Sequence, residues 1–303
     1  MKTFSGKLHN IDESILSSTH SGKTAYVKDW VENNLYSWEY KLNADYSIEA
    51  VKDIEFKGRT TVPVWIKEAH DHTITYNSCG NTKIELPFSA KSIRVVDCDS
   101  LEKLETKGAT QIDSLYFENC PKLDLRNLAD NKDLKVKRIK FVNCAIEDLA
   151  SLSFVEKTIV AQKCRKLSTV NPPENPLCSV SVSGCPVALF GDKINLARLE
   201  LEDIKKVKKL LLDIVNLQEL VIDDCDTIER IDITGNKLEQ ISIADCKKLD
   251  TLHIDNDCTV SLNLDELPAI KNYELPSRLS GSCTVKNIMT EPQIDCRKKF
   301  IRR

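Results

Sequence analysis

Cysteine is the residue in this chain best equipped for chemistry, and its spacing is regular. The stretch "LVIDDC" from Leu220 returns one repeat later as "ISIADC" from Ile241. A thiol recurring at one place in a repeat can ligate a metal, close a disulfide ladder, or fill a small apolar site in a stacked core. The column decides between them. Taken five residues after the first apolar residue of each repeat, it reads Arg59, Cys79, Cys98, Cys120, Cys144, Cys164, Cys185, Ile204, Cys225, Cys246, Leu267 and Ile288. Isoleucine or leucine takes the place of the thiol without disturbing the period, and neither can bind metal or form a disulfide. Metal ligands must also converge from several directions, whereas side chains stacked on parallel strands run in a line about 4.8 Å apart. The position therefore calls for an inward, unoxidised cysteine, a small hydrophobe with a weak S–H donor.

The remaining reactive residues form no comparable pattern. His70 and His72 stand two apart near Glu68, a pair able to share a surface metal if a third ligand joined them. No third histidine or cysteine is in register, and an exposed edge is the plainer reading. The "SGKT" at Ser21 to Thr24 lacks the opening glycine of a phosphate-binding loop, because Ser17 stands there. No nucleophile elbow occurs. The five histidines, His9, His20, His70, His72 and His253, fit no Ser/His/Asp or Cys/His arrangement. The expectation is a non-enzyme, with no catalytic residue, cofactor or metal.

The cysteines are positioned by a repeat. Apolar-x-apolar pairs recur at Ile54/Phe56, Ile74/Tyr76, Ile93/Val95, Leu115/Phe117, Ile139/Phe141, Ile159/Ala161, Val180/Val182, Leu199/Leu201, Leu220/Ile222, Ile241/Ile243, Leu262/Leu264 and Cys283/Val285. Two apolar residues separated by one polar residue put both side chains on one face of a short strand. A turn of about 21 residues leaves little room for a full helix on the return path, so extended or one-turn structure is expected there. The Val180 repeat is the weakest, with Ala188 and Gly191 where apolar residues are expected.

The segments "LQELVIDDCDTIERIDI" and "LEQISIADCKKLDTLHI" resemble leucine-rich repeats with cysteine in the position more often held by asparagine. Two residues rather than one separate the cysteine from the next apolar position, as in Cys246-Lys-Lys-Leu249. The resemblance implies a curved solenoid with a parallel sheet on its concave face, and an activity of binding protein. The expected organisation is an N-terminal cap over residues 1–50, a solenoid of about twelve rungs over 51–290, and a tail over 291–303. The cap reading rests on Val27, Trp30, Val31, Leu35 and Trp38 at helical spacing behind Ser21 or Thr24.

Composition agrees with a soluble scaffold. The chain is 41% hydrophobic and 29% charged, with a net charge of -3. So small a charge draws it to neither nucleic acid nor membrane. It shows no signal-peptide stretch and no run of about 18 apolar residues. Twelve cysteines without an export signal point to a reducing, cytoplasmic location.

The repeat also lets the exposed surface be read in columns. Outward positions on the middle rungs carry Tyr116, Arg138, Lys140 and Val142, and later rungs gather Glu200, Glu202, Asp223 and Asp265. These eight are the candidate partner-binding residues, and the acidic four imply a protein partner presenting lysine or arginine. Asp97, Asp203, Asp224, Asp245 and Glu266 immediately precede the cysteine position and divide evenly between turn-making and binding. Lys122, Arg165/Lys166, Lys205/Lys206, Lys208/Lys209 and Lys247/Lys248 would form a basic ridge. Two alternatives remain open: a parallel β-helix enzyme acting on carbohydrate with a carboxylate pair, and phosphate or RNA binding along the ridge. Few aromatics accompany the ridge, which argues against base stacking.

An inward cysteine column makes a direct prediction. Cys225→Ala lowers stability by about 1–2 kcal/mol through a small cavity, whereas Cys225→Asp, which buries an unpaired charge, is far more damaging. Denaturant unfolding of both variants checks this, and equal tolerance of the two would place the side chain in solvent.

Overall fold

The computed structural model describes residues 28–280 except 46, 59–60, 130, 192, 236, 257–259, 266, 268–269 and 277–278. The chain divides into two compact units, residues 1–137 and 138–303. Both are parallel β-solenoids with very little helix, and the apolar-x-apolar pairs are their strands.

In the first unit Ile54–Lys57, His70–Asn77, Ser89–Val96 and Thr110–Glu118 pair in parallel, with Ile54 opposite Ile74, Ile74 opposite Ile93 and Ile93 opposite Leu115. Lys83–Glu85 and Lys103–Glu105 form a second parallel pair on the return path. Ahead of them Tyr40–Leu42 runs antiparallel to Ile48–Ala50, which pairs in parallel with Ile66–Glu68. Residues 28–34 are helical, with Trp30 and Val31 buried and the Trp30 ring 5.9 Å from that of Phe56. Trp38 departs from the helical stripe expected for it. The helix ends before it, and the residue is 55% exposed with its ring stacked on Tyr36 at 4.2 Å. Ser21, Thr24 and Val27 lie outside the described residues.

In the second unit Val155–Gln162, Ser179–Ser183, Arg198–Glu202, Glu219–Asp223, Gln240–Ala244 and Val260–Asp265 follow in order. Leu199 faces Leu220 and Leu220 faces Ile241, so each turn of the solenoid is one sequence repeat. The inward residues Leu199, Leu201, Leu220, Ile222, Ile241 and Ile243 are fully buried, and burial of such side chains contributes about 1.5–3 kcal/mol each. The return path carries a second parallel sheet of Lys209–Asn216, Arg230–Gly235, Thr251–Asn256 and Asn272–Glu274. The extended structure expected there is present.

The second sheet falters at the Val180 rung, as its weak sequence anticipates. Leu189–Phe190 pairs back with Thr169–Val170, while Ile194–Asn195 pairs forward with Lys209–Asn216 through a register shift. One departure comes near the end. Val260 pairs with Leu279, a shorter step along the chain than the one from Leu199 to Leu220. Cys283 and Val285 themselves lie outside the described residues.

Each strand of the main sheet ends in the same local device. The residue before the cysteine position adopts a positive φ: Ser78, Asp97, Asn119, Asn143, Lys163, Gly184, Asp203, Asp224 and Asp245 all lie between 48° and 63°. Its amide then donates to the last strand carbonyl of the next turn, as Asp97 does to Glu118 (2.9 Å), Asn143 to Gln162 (2.8 Å), Lys163 to Ser183 (2.8 Å) and Asp203 to Asp223 (3.1 Å). This left-handed geometry favours glycine, asparagine and aspartate. Asp97, Asp203, Asp224 and Asp245 are thereby explained as turn-making.

The cysteine follows, buried in every described turn that carries one. Three residues later the chain folds back: the amides of Leu101, Leu167, Ile228 and Leu249 donate to the carbonyls of Cys98, Cys164, Cys225 and Cys246 at 3.0–3.1 Å. That hydrogen bond closes a four-residue turn, which is why two exposed residues separate the cysteine from the next apolar position.

Lys163 is the one residue in the left-handed column with a long, unsuited side chain. Its replacement by asparagine is expected to raise stability by up to about 1 kcal/mol, measured as a shift in denaturation midpoint. A loss of stability would mean that its aliphatic stem, which lies beside Gly184, contributes more than the backbone strain costs.

Candidate outward-facing site on the main sheet

The strand alternation that buries Leu199, Leu201, Leu220 and Ile222 turns Glu200, Glu202 and Asp223 outward. Glu202 and Asp223 face one another in register on adjacent strands, and Ala244 and then Asp265 continue the same row. Neither Glu202 nor Asp223 has an ion-pair partner among the described residues. Like charges directly opposite on a sheet are destabilising, so this row costs the fold something.

Glu200 behaves differently. It accepts a hydrogen bond from Arg198 at 3.2 Å, and the same guanidinium holds both carboxylate oxygens of Glu219 at 2.9 Å. The Arg198 network was not foreseen, although its signal was present: Arg198 and Glu219 occupy the column one residue before the apolar pair.

The basic members of the predicted set stand apart from the acidic ones. Arg138 and Lys140 lie on Leu134–Val142, separated from Arg198–Glu202 by two intervening strands. At about 4.8 Å per strand, they are too far away to neutralise Glu202. Arg138 is exposed, and Lys140 and Val142 are half-buried. Tyr116 belongs to the first unit, where the Arg94 guanidinium lies 4.5 Å from its ring centre and its hydroxyl donates to Glu118 at 2.7 Å. The structure thus separates the eight predicted residues into an acidic row, Glu200 paired with Arg198, a strand carrying Arg138, Lys140 and Val142, and a tyrosine engaged by its own neighbours.

Most of the basic ridge consists of turn tips, because Lys122, Arg165, Lys166, Lys205, Lys206, Lys247 and Lys248 occupy the two positions after the cysteine position, while Lys208 and Lys209 stand where the return strand begins. Lys205 pairs with Asp203 at 2.7 Å, Lys208 with Glu229 at 3.4 Å and Lys247 with Asp226 at 3.3 Å. Their hydrogen bonds to Asp203 and Asp226 raise the amines of Lys205 and Lys247 above the ordinary lysine range. Three of the ridge lysines are thus paired by their own neighbours, which weakens the ridge as a phosphate site.

The thiol column is more than a row of apolar fillers. The Cys225 thiol donates to its own strand at the Asp223 carbonyl (3.2 Å), and the Cys98 and Cys185 thiols do the same at Val96 (3.4 Å) and Ser183 (3.3 Å). Sulfur also accepts, taking the amide of Cys79 on Cys98 and that of Cys164 on Cys185, both at 3.3 Å. Cys79, Cys164 and Cys225 are pushed far above the ordinary thiol range by the hydrogen bond each shares with the thiol of the next turn and by burial. Burial alone pushes Cys178, on the return path, up to about 11. The thiols that share those bonds, Cys98, Cys185 and Cys246, are shifted down by them, and all six are buried, where a thiol is inert for lack of access.

The histidines do not gather either. His70 lies 4.0 Å from Glu68 and His72 4.0 Å from Asp53, so the two rings go to different carboxylates. His253 sits between Asp232 at 3.7 Å and Glu274 at 3.3 Å, one carboxylate to each ring nitrogen. Among the described residues no group of three or more histidine, cysteine or acidic side chains is arranged to hold a metal ion. His9 and His20 lie outside them, as do Arg59, Glu266 and Ile288. Among the described residues, too, no helix is long and apolar enough to cross a membrane.

Comparison of the chain with family models, with curated proteins and with solved structures finds no match.

Proposed function

We propose that this protein is a non-enzymatic recognition scaffold that binds a protein partner through the outer face of its main sheet. Glu202 and Asp223 carry the proposal. They are outward carboxylates in register on neighbouring strands, with no counter-charge among the described residues and no turn to make. A local rule broken without structural return is the expected mark of a functional surface. A basic side chain laid across the row would relieve the repulsion, and steering by the acidic field would speed its approach.

The finer architecture belongs to the same proposal. The short cysteine-bearing turn fits a leucine-rich repeat, with the main sheet on the concave side. Helical residues 28–34, with Trp30 packed on Phe56 of the first rung, would serve as the N-terminal cap. Buried cysteines without disulfide partners among the described residues fit a reducing, cytoplasmic setting. The enzyme and phosphate-binding alternatives gain less support. Among the described residues the outward carboxylates belong to no cluster with a nucleophile or base, and the ridge lysines are partly paired.

Affinity capture from native lysate tests the reading, comparing the native sequence with Glu202, Asp223 and Asp265 all changed to lysine, each with and without nuclease. The expected result is a discrete protein partner lost with the triple variant and indifferent to nuclease. Retention of every partner by a folded triple variant would abandon the acidic row, and loss on nuclease treatment would transfer the function to the ridge.

A further inference from the structure

At the opposite end of the same strands, in the second unit, lies a cleft of about 730 Å³ that crosses the starts of five successive turns. Its lining consists of strand-entry residues. Their backbone groups are already committed: the amides of Gln218 and Glu219 donate to Ala197, those of Glu239 and Gln240 to Gln218, and that of Ser261 to Glu239. Any ligand must therefore be held by side chains.

Those side chains are available. Ser179, Gln218, Glu239, Gln240 and Ser261 line the cleft, and among the described residues none of their side chains makes a hydrogen bond within the protein. Polar groups without internal partners can meet a ligand without first breaking a hydrogen bond inside the protein. Two glutamine amides on adjacent turns offer both donors and acceptors, as the backbone of an extended peptide requires.

Charge fixes the rest of the ligand. Arg198 is the cation lining the cleft, and it is occupied by two carboxylates, gripping Glu219 with both oxygens at 2.9 Å and reaching Glu200 at 3.2 Å. Glu239 has no ion pair among the described residues and is exposed. Two lining carboxylates, Glu219 and Glu239, against one guanidinium that also reaches Glu200 beyond the lining leave the cleft net negative, which repels phosphate and carboxylate ligands and attracts ammonium or guanidinium. With no aromatic side chain in its lining, the cleft lacks the platform on which bases stack.

We infer that this cleft receives an extended peptide segment of the partner, with one lysine or arginine paired to Glu239 and its backbone hydrogen-bonded by Gln218 and Gln240. The inference rests on the reading of this face as a partner-binding surface, and it locates the docking segment at the strand entries, away from the Glu202 row.

The test uses the full chain, labelled for amide NMR at low salt, with two blocked pentapeptides of glycine carrying a central arginine or a central glutamate. The arginine peptide is expected to shift the amides of residues 218, 239, 240 and 261, and the glutamate peptide to leave them in place. Glu239→Lys should weaken the arginine peptide at least tenfold, Glu239→Gln less so, and raising salt should weaken it in the native sequence. Changing Glu202, Asp223 and Asp265 to lysine should leave those shifts at the cleft, so failure of the acidic row and failure of the cleft are read separately. Equal response to both peptides, shifts confined to the Glu202 row, or no response at millimolar peptide would each overturn the inference.

Discussion

One backbone hydrogen bond, repeated in most turns, sets the geometry on which the rest depends. A residue with positive φ at the strand end directs its amide to the last strand carbonyl of the following turn, as at Ser78, Asp97, Asn143, Lys163, Gly184, Asp203 and Asp245. Reversal of the chain at that point sends the next side chain, the cysteine, inward. The strand before it is thereby held in one register, and a slip of a single residue would exchange its buried and outward faces. Glu202 and Asp223 face outward because Leu201 and Ile222 face inward. Every claim about surface chemistry follows from this bond.

The cysteine completes the device chemically. A small apolar side chain suffices for packing, as Ile204 and Leu267 show by occupying the position while buried. Only the thiol, however, both donates to the strand carbonyl two residues back and accepts the amide of the preceding turn. These are weak hydrogen bonds. Sulfur gives the amides of Cys79 and Cys164 an acceptor, while the strand carbonyls, which already take the left-handed amide of the preceding turn, gain a second donor.

Much of this was legible in the sequence because the solenoid is nearly one-dimensional: each turn touches its neighbours, so register follows from period. The aligned pairs Ile54, Ile74, Ile93 and Leu115, and the run from Ile159 to Leu262, are the observed strand partners. What escaped was set by geometry that a column does not show. In sequence Asp203 and Asp224 divide evenly between turn-making and binding until their φ values reveal the turn, and Lys163 in the same column gives no warning of it. Arg198 pairs with Glu219 across strands, a contact visible only once the register is fixed. Trp38 fits a helical spacing that the chain abandons a few residues earlier. The end of the solenoid misled too, because the period shortens at Leu279.

The most direct measurement of the central claim is native-state hydrogen exchange at the left-handed positions. If their amides lock one turn to the next, residues 97, 143, 163, 203 and 245 should exchange as slowly as the buried strand amides of their own unit, opening only with the cooperative unfolding of that unit. Fast exchange at those positions, with the strands still protected, would show that the turns are held by apolar packing alone. The left-handed residues would then be loop ends rather than the constraint that sets the face.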